Sequence, residues 1–358
     1  MTSARTNSSP GPLPGGGGAG ALTAVRDAAR VCRHVQMSLD QVRAMTKDDR
    51  SPVTIADYAS QAVVARALAG DAATVGQVLV AEESAESLRA PEHATHLAAT
   101  VAALRESGVW EDATPDDAIG AISAVGDPLA FDDDRPWWTF DPIDGTKGFL
   151  RGQQYAVALA CIRRGRVVLG IMACPNLSID HDASVEQADP RGTMYLGAEG
   201  EGVVEWVLGR PDGRRVRPRS SPREGAAVLA ESVDSGHSDH SLSARIMSSA
   251  VGGEEGGGEH RVVRLDSQAK YAVVARGQAD AYLRLPAKRG YVERIWDHAA
   301  GSIIAREAGC VVTDMHGREL DFGRGRGLEA NAGVVVAPPG LHAKIIAAIG
   351  GMYAAGTP

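Results

Sequence analysis

Residues 141 to 149 read Asp-Pro-Ile-Asp-Gly-Thr-Lys-Gly-Phe, and no other run in the chain constrains its fold so tightly. Pro142 fixes its own φ at about −65° and forces Asp141 into extended backbone. Trp137, Trp138, Thr139 and Phe140 come just before, and this run predicts a strand that carries Asp141 to a sheet edge. Gly145 lets the backbone approach a ligand closely, and Thr146 stands where a helix can begin. Two carboxylates beside fresh helix N–H groups can hold hard cations and a phosphate in one place. By itself, an Asp-X-X-Asp pair is more often the mark of a solvated turn. Two further acidic clusters argue for the first interpretation.

Glu82 and Glu83 form one of these clusters, at the end of Val78-Leu79-Val80-Ala81, a short apolar run that predicts a buried strand. Asp297 opens a predicted helix within Trp296-Asp297-His298-Ala299-Ala300-Gly301. Ligands of open α/β sheets gather where strands end and helices start, so three acidic groups in such places can share a set of cations. Magnesium prefers oxygen ligands and keeps water or substrate phosphate in its shell. No His-X-X-X-His or paired cysteines favour zinc. Two ions would clamp an in-line displacement from both sides. Asp57 and Thr146 are the natural pair to orient and deprotonate water, since a threonine hydroxyl bridges a carboxylate and a water. Asp297 alone could instead be a helix N-cap, and Asp57 a structural carboxylate behind the site.

The chain has 358 residues, 44% hydrophobic and 23% charged, enough for one large domain or two packed ones. A net charge of −8 argues against a nucleic-acid backbone or an anionic membrane as partner. No apolar run reaches the ~18 residues that span a bilayer. Cys32, Cys161, Cys174 and Cys310 are scattered, which points to a reduced, intracellular and cytoplasmic protein with buried thiols. The first twenty residues are rich in Ser, Thr, Pro and Gly, bear Arg5 and carry no acid. They read as a disordered segment; a plastid or mitochondrial transit peptide has the same composition.

Apolar spacing predicts a helix over 21–44, a polar turn at Lys47-Asp48-Asp49-Arg50, and an extended piece from Ser51-Pro52 into Asp57. A helix over 58–68 stopped at Gly70 follows, then one over 93–105 and an acidic loop at Asp132-Asp133-Asp134. Strands are predicted over 155–162, 167–172, 192–196 and 202–207, the first two joined by a tight turn at Gly165-Arg166. Arg210 to Arg223 reads as a solvated connection. Beyond it, strands over 226–230, 261–265, 280–285, 310–313 and 333–336 alternate with helices over 241–250, 268–276, 297–308 and 340–349. Gly252 to Gly258 reads as a flexible loop. The chain thus divides into a disordered segment 1–20, an α+β subdomain 21–209 with most of the metal ligands, and an α/β subdomain 210–358 with the substrate contacts and Asp297. The fold class is layered α/β.

Four of these stretches, Ser51 to Tyr58, Glu82-Glu83-Ser84, Asp141 to Phe149 and Trp296 to Gly301, together resemble the inositol monophosphatase superfamily of lithium-sensitive, magnesium-dependent phosphatases. Asp266-Ser267-Gln268-Ala269-Lys270-Tyr271 and Tyr282-Leu283-Arg284-Leu285-Pro286 are similar to its 3′(2′),5′-bisphosphate nucleotidase branch. The resemblance spans roughly residues 22 to 350 and implies a five-layer αβαβα sandwich of two subdomains with the site between them. It implies that Glu82, Asp141, Asp144 and Asp297, with the Ile143 carbonyl, bind two or three Mg²⁺ ions. It further implies that Asp57 and Thr146 activate water, and that Gly145, Thr146, His237, Ser267, Lys270, Arg284 and Asp297 contact substrate. Ala81 stands where many members have Gly and suits a strand equally well.

The activity implied is removal of the 3′-phosphate from adenosine 3′,5′-bisphosphate, giving AMP and phosphate, and action on 3′-phosphoadenylyl sulfate, by a monomer. Physics points the same way: cations neutralise one phosphate, so a second needs its own, and Lys270 and Arg284 are available. Each of these two alone reads as a surface charge. An inositol polyphosphate 1-phosphatase is the alternative within the class, and a non-catalytic nucleotide sensor the alternative outside it. A sensor has no use for a water-activating pair.

Overall fold

The computed structural model describes residues 18–42, 51–90, 93–126, 134–210, 212–217, 226–233, 240–252, 258–286 and 290–354. Expectations for the N-terminal segment up to residue 17, the 47–50 turn, Asp132 and Asp133, residue 211, residues 218–223, His237 and residues 253–257 lie outside the described residues.

Helix α1 (Gly18–Val42) buries Ala21, Ala24, Val25, Ala28, Cys32 and Val35, the three-to-four spacing of one helix face. That face meets α2 (Ser51–Gly70). The stretch expected to be extended from Ser51 to Asp57 is therefore helical. Pro52 falls in the first turn, where a missing N–H leaves no helix bond unmade. Asp57 accordingly hangs from a helix and not from the end of an extended segment.

The first sheet runs in chain order: β1 (Leu79–Ala81), β2 (Trp137–Asp144), β3 (Ala156–Arg163), β4 (Arg166–Cys174), β5 (Thr193–Ala198), β6 (Gly202–Val207) and β7 (Arg214–Arg215). β1 is parallel to β2, and the other neighbours are antiparallel. A parallel pair needs a long crossover. It contains α3 (Glu86–Arg89), α4 (Ala94–Glu106) and α5 (Pro115–Ser123). Sequence reading missed α5, although Thr114 and Asp117 form a reciprocal capping box with Pro115 in the first turn. The β3–β4 turn is Arg164-Gly165, one residue earlier than expected. Both have positive φ, 52° and 68°, as a two-residue turn matched to strand twist requires. Part of the basic connection is also β structure, since Arg214 and Arg215 pair with Glu205 and Val204.

The second sheet has the order β11-β12-β10-β8-β9, with β8 (Ala227–Glu231), β9 (His260–Arg264), β10 (Ala281–Arg284), β11 (Val311–Thr313) and β12 (Val334–Ala337). The helices of this half are α7 (His240–Gly252), α8 (Ala269–Ala275), α9 (Ala299–Ala308) and α10 (Pro339–Ala354).

Period-two alternation sorts side chains between three apolar cores. Trp138, Phe140, Val157 and Leu159 face α1 and α2; Trp137, Ala156, Ala158 and Ile162 face the middle layer. On the second sheet Val228, Tyr282 and Val336 face that same middle layer. Leu229, Leu283 and Val335 turn to α7 and α10. The α8–α9 pair lies between the sheets, and α9 packs directly on β4 and β5. Gly170 makes that approach possible: a Cβ there would stand 2.4 Å from an Ile303 methyl. The result is the expected five layers, αβαβα. Among the described residues no helix is long and apolar enough to cross a membrane.

Candidate active site

Parallel pairing brings the first two carboxylates together. Ala81 stands opposite Phe140, so the next residues, Glu82 and Asp141, lie side by side where the β1–β2 pairing ends. At Asp141 the β2–β3 register shifts, and Pro142, with no N–H to donate, occupies the irregular stretch. Two helices hold that stretch from behind. The Pro142 carbonyl accepts from Ser60 Oγ at 3.2 Å, with Cys32 Sγ at 3.9 Å. Gln61 steadies the end of β1, donating to the Glu83 carbonyl at 2.9 Å and accepting from the Glu83 N–H at 3.1 Å.

The chain then turns at Gly145, φ 85°, into α6 (Thr146–Arg151). A Cβ at Gly145 would also come within 2.9 Å of Ser267 Cβ, so both the conformation and the space demand glycine. Ser267 itself holds φ 72°, a conformation that costs a non-glycine residue about 1–3 kcal/mol and that tends to mark functional sites. Gln268 beside it joins both halves of the site. Its N–H donates to Asp144 Oδ2 at 2.6 Å, its Nε2 to the Trp296 carbonyl at 2.8 Å, and its Oε1 accepts from the Gly301 N–H at 2.9 Å.

These elements enclose a cleft of about 250 Å³. Glu82, Asp141, Ile143, Asp144, Gly145, Thr146, Ser267, Lys270, Arg284 and Asp297 all line it, so the structure gathers most of the sequence-inferred residues in one place. Lys147, Ser232 and Asp266 line it too, and sequence reasoning missed them. Asp57 is not on the wall but is buried just behind it, close enough to Glu82 and Glu83 for their charges to act on it. The Thr146 hydroxyl faces the Ile143 carbonyl at 3.5 Å, not Asp57. Asp297 precedes the helix by two residues and is no N-cap; His298 occupies that position.

Lys270 is only 2% exposed and is no surface charge. Its Nζ donates to the Leu265 carbonyl at 3.3 Å. Arg284 is likewise mostly buried, gripped by Glu293 at 2.6–2.8 Å with Asp297 3.6 Å away. His298 backs Glu293 at 3.2 Å and meets the Tyr271 hydroxyl at 2.7 Å.

Burial and mutual repulsion dominate the electrostatics. Burial lifts Asp57 well above the usual carboxylate range, and Glu83 and Glu82 add to the effect. Asp141 is raised in the same way, by burial first and then by Glu82 and Asp144. Glu82, though open to the cleft, is pushed up to about 8 by the desolvating walls, then by Asp297, Glu83 and Asp144. Asp297 rises to about 6 through burial and Asp144, with Arg284 opposing. Burial lowers Lys270 to about 8, while Asp144 supports its charge.

A set of like-charged oxygens that raise one another's pKa is a set that a hard cation relieves. Asp141 Oδ1 is buried with no hydrogen-bond partner among the described residues, an orphan acceptor that such a cation satisfies. Glu293, Asp297 and His298 also converge, but Glu293 is already committed to Arg284 and His298. The all-oxygen group on the cleft wall is therefore the better fit to a divalent ion.

Comparison with known proteins gives the chain its relatives. Residues 25–351 match the family model described as the inositol monophosphatase family, which is in general metal-dependent. A 3′(2′),5′-bisphosphate nucleotidase of Oryza sativa is 40% identical over 342 residues, 92% of each chain. One from Emericella nidulans is 38% identical over 328 residues, 85% of this chain and 89% of that one. Among solved structures, the extragenic suppressor protein SuhB of Bartonella henselae superposes with a TM-score of 0.58 at 17% identity, covering 93% of this chain and 98% of that one. Inositol monophosphatase from Anabaena gives 0.56 at 18%, covering 93% and 94%. At such identities these two likenesses concern the fold alone. The matched region takes in both sheets and every wall of the cleft, and the chain belongs to the inositol monophosphatase family.

Proposed function

We propose that the chain is a Mg²⁺-dependent phosphomonoesterase that removes the 3′-phosphate of adenosine 3′,5′-bisphosphate, giving AMP and phosphate. The observation that carries this reading is the mixed charge of the cleft. Its lining holds a carboxylate cluster together with two largely buried cations, Lys270 and Arg284. A substrate with two phosphates suits such a lining: one phosphate reaches the carboxylates through cations, the other meets lysine and arginine directly. The names of the relatives at 38–40% identity support the same substrate.

In this reading Glu82, Asp141, Asp144, Asp297 and the Ile143 carbonyl hold two or three Mg²⁺ ions. When bound, these ions supply Lewis acidity to the phosphoryl oxygens and lower the pKa of water. Asp57, a buried carboxylate beside Glu82 and Glu83, and Thr146 orient the attacking water. The water oxygen forms the new bond to phosphorus in line as the bond to O3′ breaks; one water proton passes to Asp57, the other stays on the phosphate, and O3′ leaves with a proton taken from solvent. Gly145 and Thr146 offer backbone N–H groups at the start of α6. Ser267, Lys270 and Arg284, with His237, hold the rest of the nucleotide. The same contacts accommodate 3′-phosphoadenylyl sulfate.

The test is kcat/KM for adenosine 3′,5′-bisphosphate, adenosine 3′-monophosphate and inositol 1,4-bisphosphate, each with and without Mg²⁺. The bisphosphate nucleotide should lead, and only with metal. Preference for inositol 1,4-bisphosphate would move the reading to an inositol polyphosphate phosphatase. No turnover of any of the three, with the nucleotide bound, would indicate a sensor.

A further inference from the structure

Two of the carboxylates on the cleft wall come from different parts of the fold. Glu82 hangs from the end of β1 in the first sheet; Asp297 precedes α9, after the second sheet's β10. Their charges repel, and among the described residues no strand pairing joins β1 to the segment that carries Asp297. Something must fix their separation before a cation arrives.

Arg326 stands behind both. Its Nη2 donates to the carbonyl of Ala81, the residue before Glu82, at 2.6 Å. Its guanidinium carbon lies 4.7 Å from the ring centroid of Trp296, the residue before Asp297. Trp296 is buried, so the ring is a fixed platform. The backbone locks the same neighbourhood. The Arg326 carbonyl accepts from the Ile295 N–H at 3.2 Å, the Leu328 N–H donates to the Glu293 carbonyl at 2.9 Å, and Arg294 and Gly327 form an antiparallel bridge. A planar guanidinium can stack on an indole and still donate in its own plane, which an ammonium cannot do with the same geometry.

We propose that Arg326 is a positioning residue that ties Ala81 to Trp296, fixes the spacing of Glu82 and Asp297, and so sets the affinity of the cleft for divalent cations. Arg326 is not among the residues that line the cleft. The inference rests on reading those carboxylates as metal ligands, so its test carries a control for that reading.

The test is direct Mn²⁺ binding, followed by electron paramagnetic resonance on nucleotide-free protein, for wild type, Arg326→Gln, Arg326→Lys and Asp141→Asn, with the melting temperature of each. Loss of a group that orients ligands typically weakens metal affinity ~10–100-fold. Arg326→Gln should bind Mn²⁺ about tenfold more weakly. Its apparent requirement for Mg²⁺ in turnover should rise equally while kcat at saturating Mg²⁺ stays near wild type. Arg326→Lys should fall between, since it keeps charge and loses the plane. If Asp141→Asn loses Mn²⁺ but both Arg326 variants bind as wild type does, the brace is overturned and the metal reading survives. If Asp141→Asn binds Mn²⁺ normally, the metal reading falls first and takes this inference with it. Should Arg326→Gln fail to fold, Arg326→Lys decides alone, and an affinity within about twofold of wild type overturns the proposal.

Discussion

Glu293 grips Arg284 along one edge of the guanidinium, with Nε to Oε1 at 2.8 Å and Nη2 to Oε2 at 2.6 Å, while Asp297 lies 3.6 Å from the same Nη2. Burial would lift Glu293, but His298 and Arg284 outweigh it and bring its carboxyl down to about 2. The pair therefore stays charged across the working pH range. The grip aims Arg284 into the cleft that it lines, and Tyr282 and Tyr291 hold it as well.

Arg284→Ala should lower kcat/KM for adenosine 3′,5′-bisphosphate roughly ten- to hundredfold, the ~1.5–3 kcal/mol of a charge-assisted hydrogen bond. Adenosine 3′-monophosphate, which lacks the second phosphate, should be turned over nearly as before. Parallel kinetics on the two substrates check this. Equal losses on both would make Arg284 a support of the fold or of Asp297.

Thr146→Ala should reduce kcat ~10²–10⁴-fold and leave KM close to wild type, because a hydroxyl that orients water acts mainly in the transition state. Steady-state kinetics at saturating Mg²⁺ decide it. A rise in KM alone would make Thr146 a substrate ligand. Its present contact with the Ile143 carbonyl means that the hydroxyl must rotate to serve water.

Metal-free protein should lose stability as pH rises. Asp297 and Glu82 bind protons more tightly folded than unfolded, with values raised to about 6 and about 8. For a carboxyl raised in this way, the stabilisation is complete below its unfolded pKa and is lost as pH climbs through the folded one. The window therefore opens at the ordinary carboxylate range and closes near pH 8. Thermal melts in chelator should show a falling midpoint from pH 5 to 8.5, and added Mg²⁺ should raise it more at pH 8 than at pH 5. A profile in Glu82→Gln that still falls through the Asp297 range but flattens above about pH 6 would assign the upper part of the window to Glu82; an unchanged slope would remove Glu82 from the account.

Gly145→Ala should damage both fold and chemistry. The residue sits at φ 85°, and the added methyl would meet Ser267 Cβ at 2.9 Å. A left-handed non-glycine residue costs about 1–3 kcal/mol before any clash is counted. Activity should fall further than stability, since the displaced segment carries Asp144 and Thr146. Melting temperature and turnover measured together check this; full activity in the Gly145→Ala protein would contradict the packing described.

The layers and the acidic end of β2 were legible because they are written in patterns that physics repeats. Alternating residues such as Trp137 and Trp138 divide between two cores. Pro142 and Gly145 leave the backbone few choices. The Ser51–Asp57 stretch misled because Pro52 marks a helix's first turn as readily as an extended segment. The supporting residues were out of reach for a different reason. Gln61, Gln268 and Arg326 act through backbone groups or partners far away in sequence, 245 positions for Arg326 and Ala81. A lone polar residue carries no local sign of such a contact. Lys270 and Arg284 were recognised as the second phosphate's candidates, but their burial came only from the fold.

The central claim is that the carboxylates of the cleft hold the metal on which phosphate release depends. Asp144→Asn tests it most directly: shape is kept, one charge is removed, and the contact of Asp144 Oδ2 with the Gln268 N–H remains within reach of the amide oxygen. The measurement is Mg²⁺-dependent phosphate release from adenosine 3′,5′-bisphosphate by this variant, beside its circular dichroism. The account predicts turnover lower by orders of magnitude in a normally folded protein. Near-normal, Mg²⁺-dependent turnover by Asp144→Asn would contradict it.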